Sequence, residues 1–370
     1  MNPEELYGQW IGRFEGDAPG WAVLNIEPGR ARSPFACLTQ EFTGPMATHV
    51  HLDVEYKDDQ FRGEAKSIRV YESGKNTLVE PKEFLAGRTD LVIASRISLE
   101  GSWSDHYFTG TFATDISNGG KFFLSNPAKQ LTEPPNHIFT WNEFRAFTRE
   151  STKKSGRVYR GQASNSWRLR SSFHREKRYD LTRYWKEACL PMRDRFAAAG
   201  IEFDLSNPSD IGSMICFAQH HGFPTPLLDW TIDPMVAAYF AFDRLPGVHS
   251  PNQSCRIYVF EFEEWAKDTN NGASFADPNP LASFRRFDSK HVKRQELQKC
   301  MHAFLNVEDF EAWVRMLEKD KKKTYLTTID IPWSQRARAK VDLANEGYVT
   351  ERLFDGNDAL CRGLRESLLG

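Results

Sequence analysis

The 370-residue chain has no CxxC pair, no glycine-rich phosphate loop, no internal repeat and no low-complexity tract. Its six cysteines (Cys37, Cys189, Cys216, Cys255, Cys300, Cys361) are scattered, which argues against a disulfide framework or a thiolate zinc site. Cys216 and Cys255 sit in apolar runs and read as buried free thiols of a reducing compartment. No apolar run approaches the ~18 residues needed to cross a bilayer. The opening Met-Asn-Pro-Glu-Glu-Leu-Tyr lacks the basic and apolar regions of a signal peptide, so a cytoplasmic protein without a membrane partner is expected. Nor is there an excess of either charge. With 48 basic against 50 acidic side chains the net charge is −2, and nucleic acid is not expected as the main partner.

The chain does offer a globular composition, 40% hydrophobic and 26% charged, and a length that favours two domains. Residues 1–126 read as all β. Short alternating runs recur at 22–26, 48–52, 68–71, 91–93, 107–112 and 121–124. Turn clusters at Ser73-Gly74-Lys75-Asn76 and Ser117-Asn118-Gly119-Gly120 separate some of them. Without a convincing helix in between, a barrel or sandwich is expected. Gly8-Gln9-Trp10 resembles the opening of lipocalin-type barrels, and Gly101-Ser102-Trp103 with Gly110-Thr111-Phe112 a closing part.

The proline-rich run 127–137 reads as a linker. An α+β domain is expected over 138–370. Thr140 and Glu143 have capping-box spacing. Helices are predicted at 181–199, 234–242 (capped by Asp233), 310–317 and 358–367, and strands at 256–262 and 324–331.

Two stretches could carry chemistry. In Val158-Tyr159-Arg160-Gly161-Gln162 an arginine ends a predicted strand ahead of a glycine that allows close backbone approach. Its guanidinium can fork a phosphate or carboxylate, or simply pair with an internal acid such as Asp229. The basic cluster around it (Arg157, Arg168, Arg170, Arg175, Lys177, Arg178) reads as a solvated face. The second stretch runs from Gln219 through His220, His221, Thr225 and Asp229 to Thr231, too polar for a core strand, and reads as a functional loop. His220 and His221 lack a third ligand at helical spacing, so no metal is expected there. Asp229 and Thr231 could equally cap the helix near Pro234.

Both stretches resemble the FRG domain, named for its (Phe/Tyr)-Arg-Gly motif. Tyr159-Arg160-Gly161-Gln162 fits the naming motif, Ser171 to Arg175 a following segment, and Ala218 to Thr231 the longest signature. Phe354-Asp355-Gly356 is similar to the family's closing segment. Pro226 stands where the family usually has arginine. A late Arg-x-x-x-Gln-x-Gly pattern survives only as Arg294, Gln298 and Cys300.

The Tyr-Arg-Gly motif also looks like the first strand of Arg-type ADP-ribosyltransferases, a fold the second domain would then share. That likeness implies Arg160 on the NAD phosphates, Thr225 or Thr231 near the nicotinamide, and Glu296 or Gln298 as the late catalytic group. His221 would act beside Arg160. Tyr159, Gly161, Gln162, Gln219, His220, Asp229 and Thr231 would line the ligand site. The implied function is an NAD-consuming enzyme of bacterial conflict or phage defence, with NAD as substrate and the β domain sensing a trigger or choosing a protein target. The alternative is a non-catalytic module for a nucleotide-like small molecule. A hydrolase or nuclease using His220 or His221 with Asp229 is a third reading, unsupported by any Ser or Cys nucleophile elbow.

Overall fold

The computed structural model describes residues 6–28, 35–41, 47–72, 77–126, 133–242, 253–269, 272–277, 279–287 and 292–369. Two separate sheets organise it. The first contains β1 (Gly8–Gly16), β2 (Gly20–Ile26), β3 (Phe35–Glu41), β4 (Ala47–Lys57), β5 (Gln60–Glu72), β6 (Thr77–Val79), β7 (Ile97–Trp103), β8 (Tyr107–Thr114) and β9 (Gly120–Ser125). All its pairings are antiparallel, and β4 pairs with β5 as well as with β3. Since β5 also pairs with β7, and β9 with β1, the ladder returns on itself as a ring, with β6 attached outside it. Closure removes the exposed edges that an open sheet would present.

Alternation along these strands sends Trp10, Leu24, Val50, Leu52, Phe61 and Phe108 inward. Trp10 is fully buried, its indole N–H donating to the Leu6 carbonyl, so one end of the ring is plugged by aromatic bulk. Beside it the inward residues leave a hollow of about 460 Å³, lined by Phe14, Phe61, Phe112 and aliphatic side chains, with Asp17 the one charged residue among those lining it. The turn at 117–120 joins β8 to β9 as expected, with Gly119 at φ +79°, where a side chain would be strained. The turn expected at 73–76 lies outside the described residues. The run Leu91-Val92-Ile93 is not a strand. Leu91 and Ile93 instead pack irregularly on the small cluster of Val70, Val79 and Phe84, and Val92 is exposed. Leu91 and Ile93 bury apolar surface on that cluster without a ladder, so the alternation misleads here.

The second sheet contains β10 (His137–Ile138), β11 (Arg157–Gln162), β12 (Leu227–Thr231), β13 (Ser254–Glu261), β14 (Ala282–Arg285), β15 (Cys300–Leu305) and β16 (Leu326–Pro332), in the order β10-β16-β13-β11-β12-β15-β14. Only β10–β16 is parallel among these pairs. Helices cover both faces, giving a mixed α/β part with two large cores. Of the proline-rich run, residues 127–132 lie outside the described residues. Asn136 is fastened to Thr328, and His137 already belongs to the sheet.

Thr140 and Glu143 form a reciprocal capping box on the helix Trp141–Ser151. Asp233 caps the helix Pro234–Ala241 by accepting from Met235 N–H at 2.9 Å. The predicted helix at 181–199 is present as two α segments joined by a π turn at Trp185–Cys189. Pro191 just beyond the turn cannot donate to the α-helical ladder, which accounts for the widened turn. Cys189, Cys216, Cys255 and Cys300 are buried free thiols; Cys361 is exposed.

The second part packs on the outer wall of the ring. Gln9 on β1 exchanges hydrogen bonds with Glu308 (3.1 and 2.9 Å) and donates to the Asn306 carbonyl at 2.8 Å. Buried Glu27, just after β2, accepts from the Tyr179 and Asp180 amides and pairs with Arg178 and Arg183.

Candidate functional site

β11 lies at the centre of the second sheet, between β12 and β13. Its alternation splits the Tyr-Arg-Gly motif between two faces. Tyr159 points into the core under the helix Pro234–Ala241 and bonds Ser151. At Gly161 a Cβ would meet the Ala237 carbonyl oxygen at 1.9 Å, so that glycine is required by helix packing. Gln162 is buried. Arg160 alone of the motif opens onto a cleft of about 300 Å³.

Ser172, Arg175, Gln219, Phe223 and Asp229 also line that cleft. Arg160 Nη1 donates to the main-chain carbonyl of Asp229, and Nε is buried with no hydrogen-bond partner among the described residues. Burial holds the guanidinium below its usual pKa; Asp229 opposes that shift and Arg175 adds to it. The Asp229 carboxylate accepts from Gln219 Nε2 at 2.6 Å and lies 3.6 Å from His302 Nε2. Buried His302 is held below the usual imidazole range, with Asp229 opposing, so it faces the carboxylate in its neutral form.

The surrounding basic cluster is largely neutralised. Arg157 pairs with Glu261, Arg168 with Asp309, Arg170 with Glu308 and Arg178 with Glu27. Among the described residues Arg160 and Arg175 have no such carboxylate partner, and both face the same cleft. Arg175 donates to the Arg170 carbonyl at 2.6 Å, and burial draws its pKa down, with Asp229 opposing. Two guanidiniums against one carboxylate leave the cleft with a surplus positive charge.

The stretch 219–231 is less of a loop than its polarity suggests. Gln219 and His220 end the helix Pro208–His220, and Leu227–Thr231 is a central strand. His221 is exposed at the helix end, edge-on to Phe217 at 4.6 Å, and His220 lies edge-on to it at 4.9 Å. Neither belongs to the cleft wall. Thr225 is fully buried; its hydroxyl donates to Gln219 Oε1 and so fixes which end of that amide faces Asp229. Thr231 donates to the Gln298 carbonyl and accepts from the Asp233 amide.

Glu296 and Gln298 are not on a strand. The segment Arg294–Leu297 is a short helix, with Glu296 exposed on it. Gln298 is buried in the turn that follows and donates to the Leu353 carbonyl at 2.9 Å. Neither lines the cleft, so the carboxylate present there is Asp229. Arg175 and Ser172 are the wall residues that spacing alone does not pick out; the segment ending in arginine after the Tyr-Arg-Gly motif was the available signal. His302 and His174 left no sequence signal, being single histidines inside apolar or basic runs.

For metals, the described residues hold one group of three potential ligands, His49, His51 and Asp180, none of which belongs to the cleft wall. For an anionic ligand, Arg160 and Arg175 are the available cations, with Gln219 and Ser172 as polar neighbours.

No curated protein and no solved structure matches the chain. A family model does, over residues 155–247, and that span holds Arg160, Arg175, Gln219 and Asp229 together. The cleft is therefore that of an FRG domain, which this chain carries behind a β-rich N-terminal part.

Proposed function

We propose that the FRG domain binds a phosphate-bearing, nucleotide-like small molecule, with Arg160 and Arg175 gripping the phosphate. The observation that carries this reading is the pair of arginines left without carboxylate partners on one cleft, while four arginines around them are each matched by an acid. A desolvated guanidinium beside another cation is poorly satisfied, and an incoming phosphate supplies the missing charge. Gln219, held by Thr225, would orient the ligand. Calorimetry with ADP, NAD, ADP-ribose and inorganic phosphate tests it. Saturable binding, weakened about tenfold or more in Arg160→Ala or Arg175→Ala, is expected. Absence of binding, or affinity unchanged in both variants, overturns it.

A second reading is NAD consumption in a conflict or defence setting, with the N-terminal ring as the sensing or targeting part. One observation favours it. Asp229 keeps an accessible carboxylate, its side chain 44% exposed, beside the arginine pair. In that role Asp229, rather than Glu296 or Gln298, would stabilise an oxocarbenium-like ribose. Nicotinamide release lost in Asp229→Asn but kept in Glu296→Gln supports it; no release with any candidate target sinks it.

A further inference from the structure

His49 and His51 lie two apart on β4, which puts both side chains on the same outward face of the ring. That face is where the FRG-bearing part docks. Opposite them stands Asp180, at the N-terminal end of the helix Leu181–Tyr184. One ligand atom from each of the three lies within 4.8 Å of the others. The imidazoles meet edge to face with centroids 4.7 Å apart, and His49 Nε2 is 3.8 Å from Asp180 Oδ1.

The second shell is in place around them. Ser67 Oγ lies 3.1 Å from His51 Nδ1, which fixes the ring and leaves Nε2 as its ligand atom. Asp180 is anchored through Oδ1, which accepts from the Thr182 and Arg183 amides at 2.9 and 3.2 Å and from the Thr182 hydroxyl at 2.7 Å. That hydroxyl lies 3.4 Å from His49 Nε2 and so links the imidazole to the carboxylate. Arg69, on the neighbouring strand, is matched by Glu80 at 2.6 Å.

We infer that His49, His51 and Asp180 form a site for a divalent transition-metal ion, Zn²⁺ foremost, that clamps the β ring to the FRG-bearing part. Two imidazoles and one carboxylate form a donor set that suits zinc, with water completing the tetrahedron at bond lengths of about 2.0–2.2 Å. The ion ties strand β4 to a segment 130 residues further along the chain and adds a bond to a seam otherwise held by Gln9, Glu27 and their partners. None of the three residues lines the Arg160 cleft.

The experiment is a titration of the full-length, metal-stripped protein with Zn²⁺ and with Co²⁺ as a spectroscopic probe, followed by thermal unfolding. Expected are about one ion per chain, visible Co²⁺ bands of a four-coordinate nitrogen–oxygen site, and a higher Tm in the presence of zinc. His51→Ala, at a partly buried position on the ring's surface, and Asp180→Asn, which keeps the helix cap, should each weaken the metal at least about tenfold and abolish the Tm rise. Ser67→Ala should weaken it by about tenfold with the spectrum unchanged. Absence of saturable Co²⁺ or Zn²⁺ binding, or equal affinity in His51→Ala and Asp180→Asn, overturns the site.

Discussion

Two hollows among the described residues are built on opposite principles. The ring of the N-terminal part encloses about 460 Å³ with a mostly apolar lining and one charged residue, Asp17. The FRG cleft is smaller, about 300 Å³, and is lined by two arginines, an aspartate, a glutamine and a serine. The ring's hollow follows from strand alternation, which places a period-2 apolar pattern on the inside. The cleft follows from a failure of matching: its elements bring together cations that nearby acids do not balance. Chemistry is therefore expected in the second hollow, where the fold leaves a charge to be answered, and shape selection in the first.

Four experiments sharpen or break that contrast. Trp10→Ala opens the plug of the ring and should cost about 3–5 kcal/mol, read as a lower denaturant midpoint of the N-terminal transition. Affinity for a nucleotide in the cleft should not change. If it does, the two hollows are coupled rather than independent.

Acid should act on the FRG side. Fully buried His174 bonds Ser171 at 2.7 Å and is pushed down to about 3 by burial, with Arg170 and Arg175 adding to it. The unfolded chain takes up a proton near pH 6.5 that the native state refuses, so stability is complete above that pH. It should fall by ~1.4 kcal/mol per pH unit as pH drops from 6.5 toward 3. Urea midpoints of His174→Gln between pH 4 and 7 should lose that part of the slope. An unchanged slope would assign the acid sensitivity elsewhere.

Arg160→Ala should reduce affinity for a phosphate-bearing ligand by about 1.5–3 kcal/mol, and Arg160→Lys should not restore it, because the fork is lost. Raising salt should weaken the same binding through the more exposed Arg175. A nucleotide affinity blind to both substitution and salt would place the ligand outside this cleft. The smallest effect belongs to Glu296→Gln, which should stay within about 0.5 kcal/mol in stability and leave ligand affinity unchanged. A clear loss there would restore the late acid to the site and weaken the case for Asp229.

Much of this was open to reading in the residues themselves. The β character of the first part, the capping box at Thr140, the Asp233 cap and the helix around Pro191 follow from local rules of period and hydrogen bonding. So does the choice of Arg160, because an arginine before glycine at a strand end is an unusual object. Local rules failed where a residue's partner lies far along the chain. The stretch 219–231 is polar enough to suggest a loop, yet its last part, Leu227–Thr231, is a strand to which β11 and β15 on either side supply backbone partners. Thr225 and Thr231 have the composition of ligand contacts, but their hydroxyls serve Gln219, the Gln298 carbonyl and the Asp233 amide.

What the sequence determined by itself is the class of each part and the motif that marks the second, since both rest on short-range periodicity and spacing. Tertiary structure alone decided which members of the basic cluster are matched by acids at Glu27, Asp309, Glu308 and Glu261, and which two are left facing a cleft. The reason is electrostatic and geometric: a charge is balanced or not by neighbours up to 151 residues away in the chain, as Arg178 is by Glu27, and no local pattern encodes that distance.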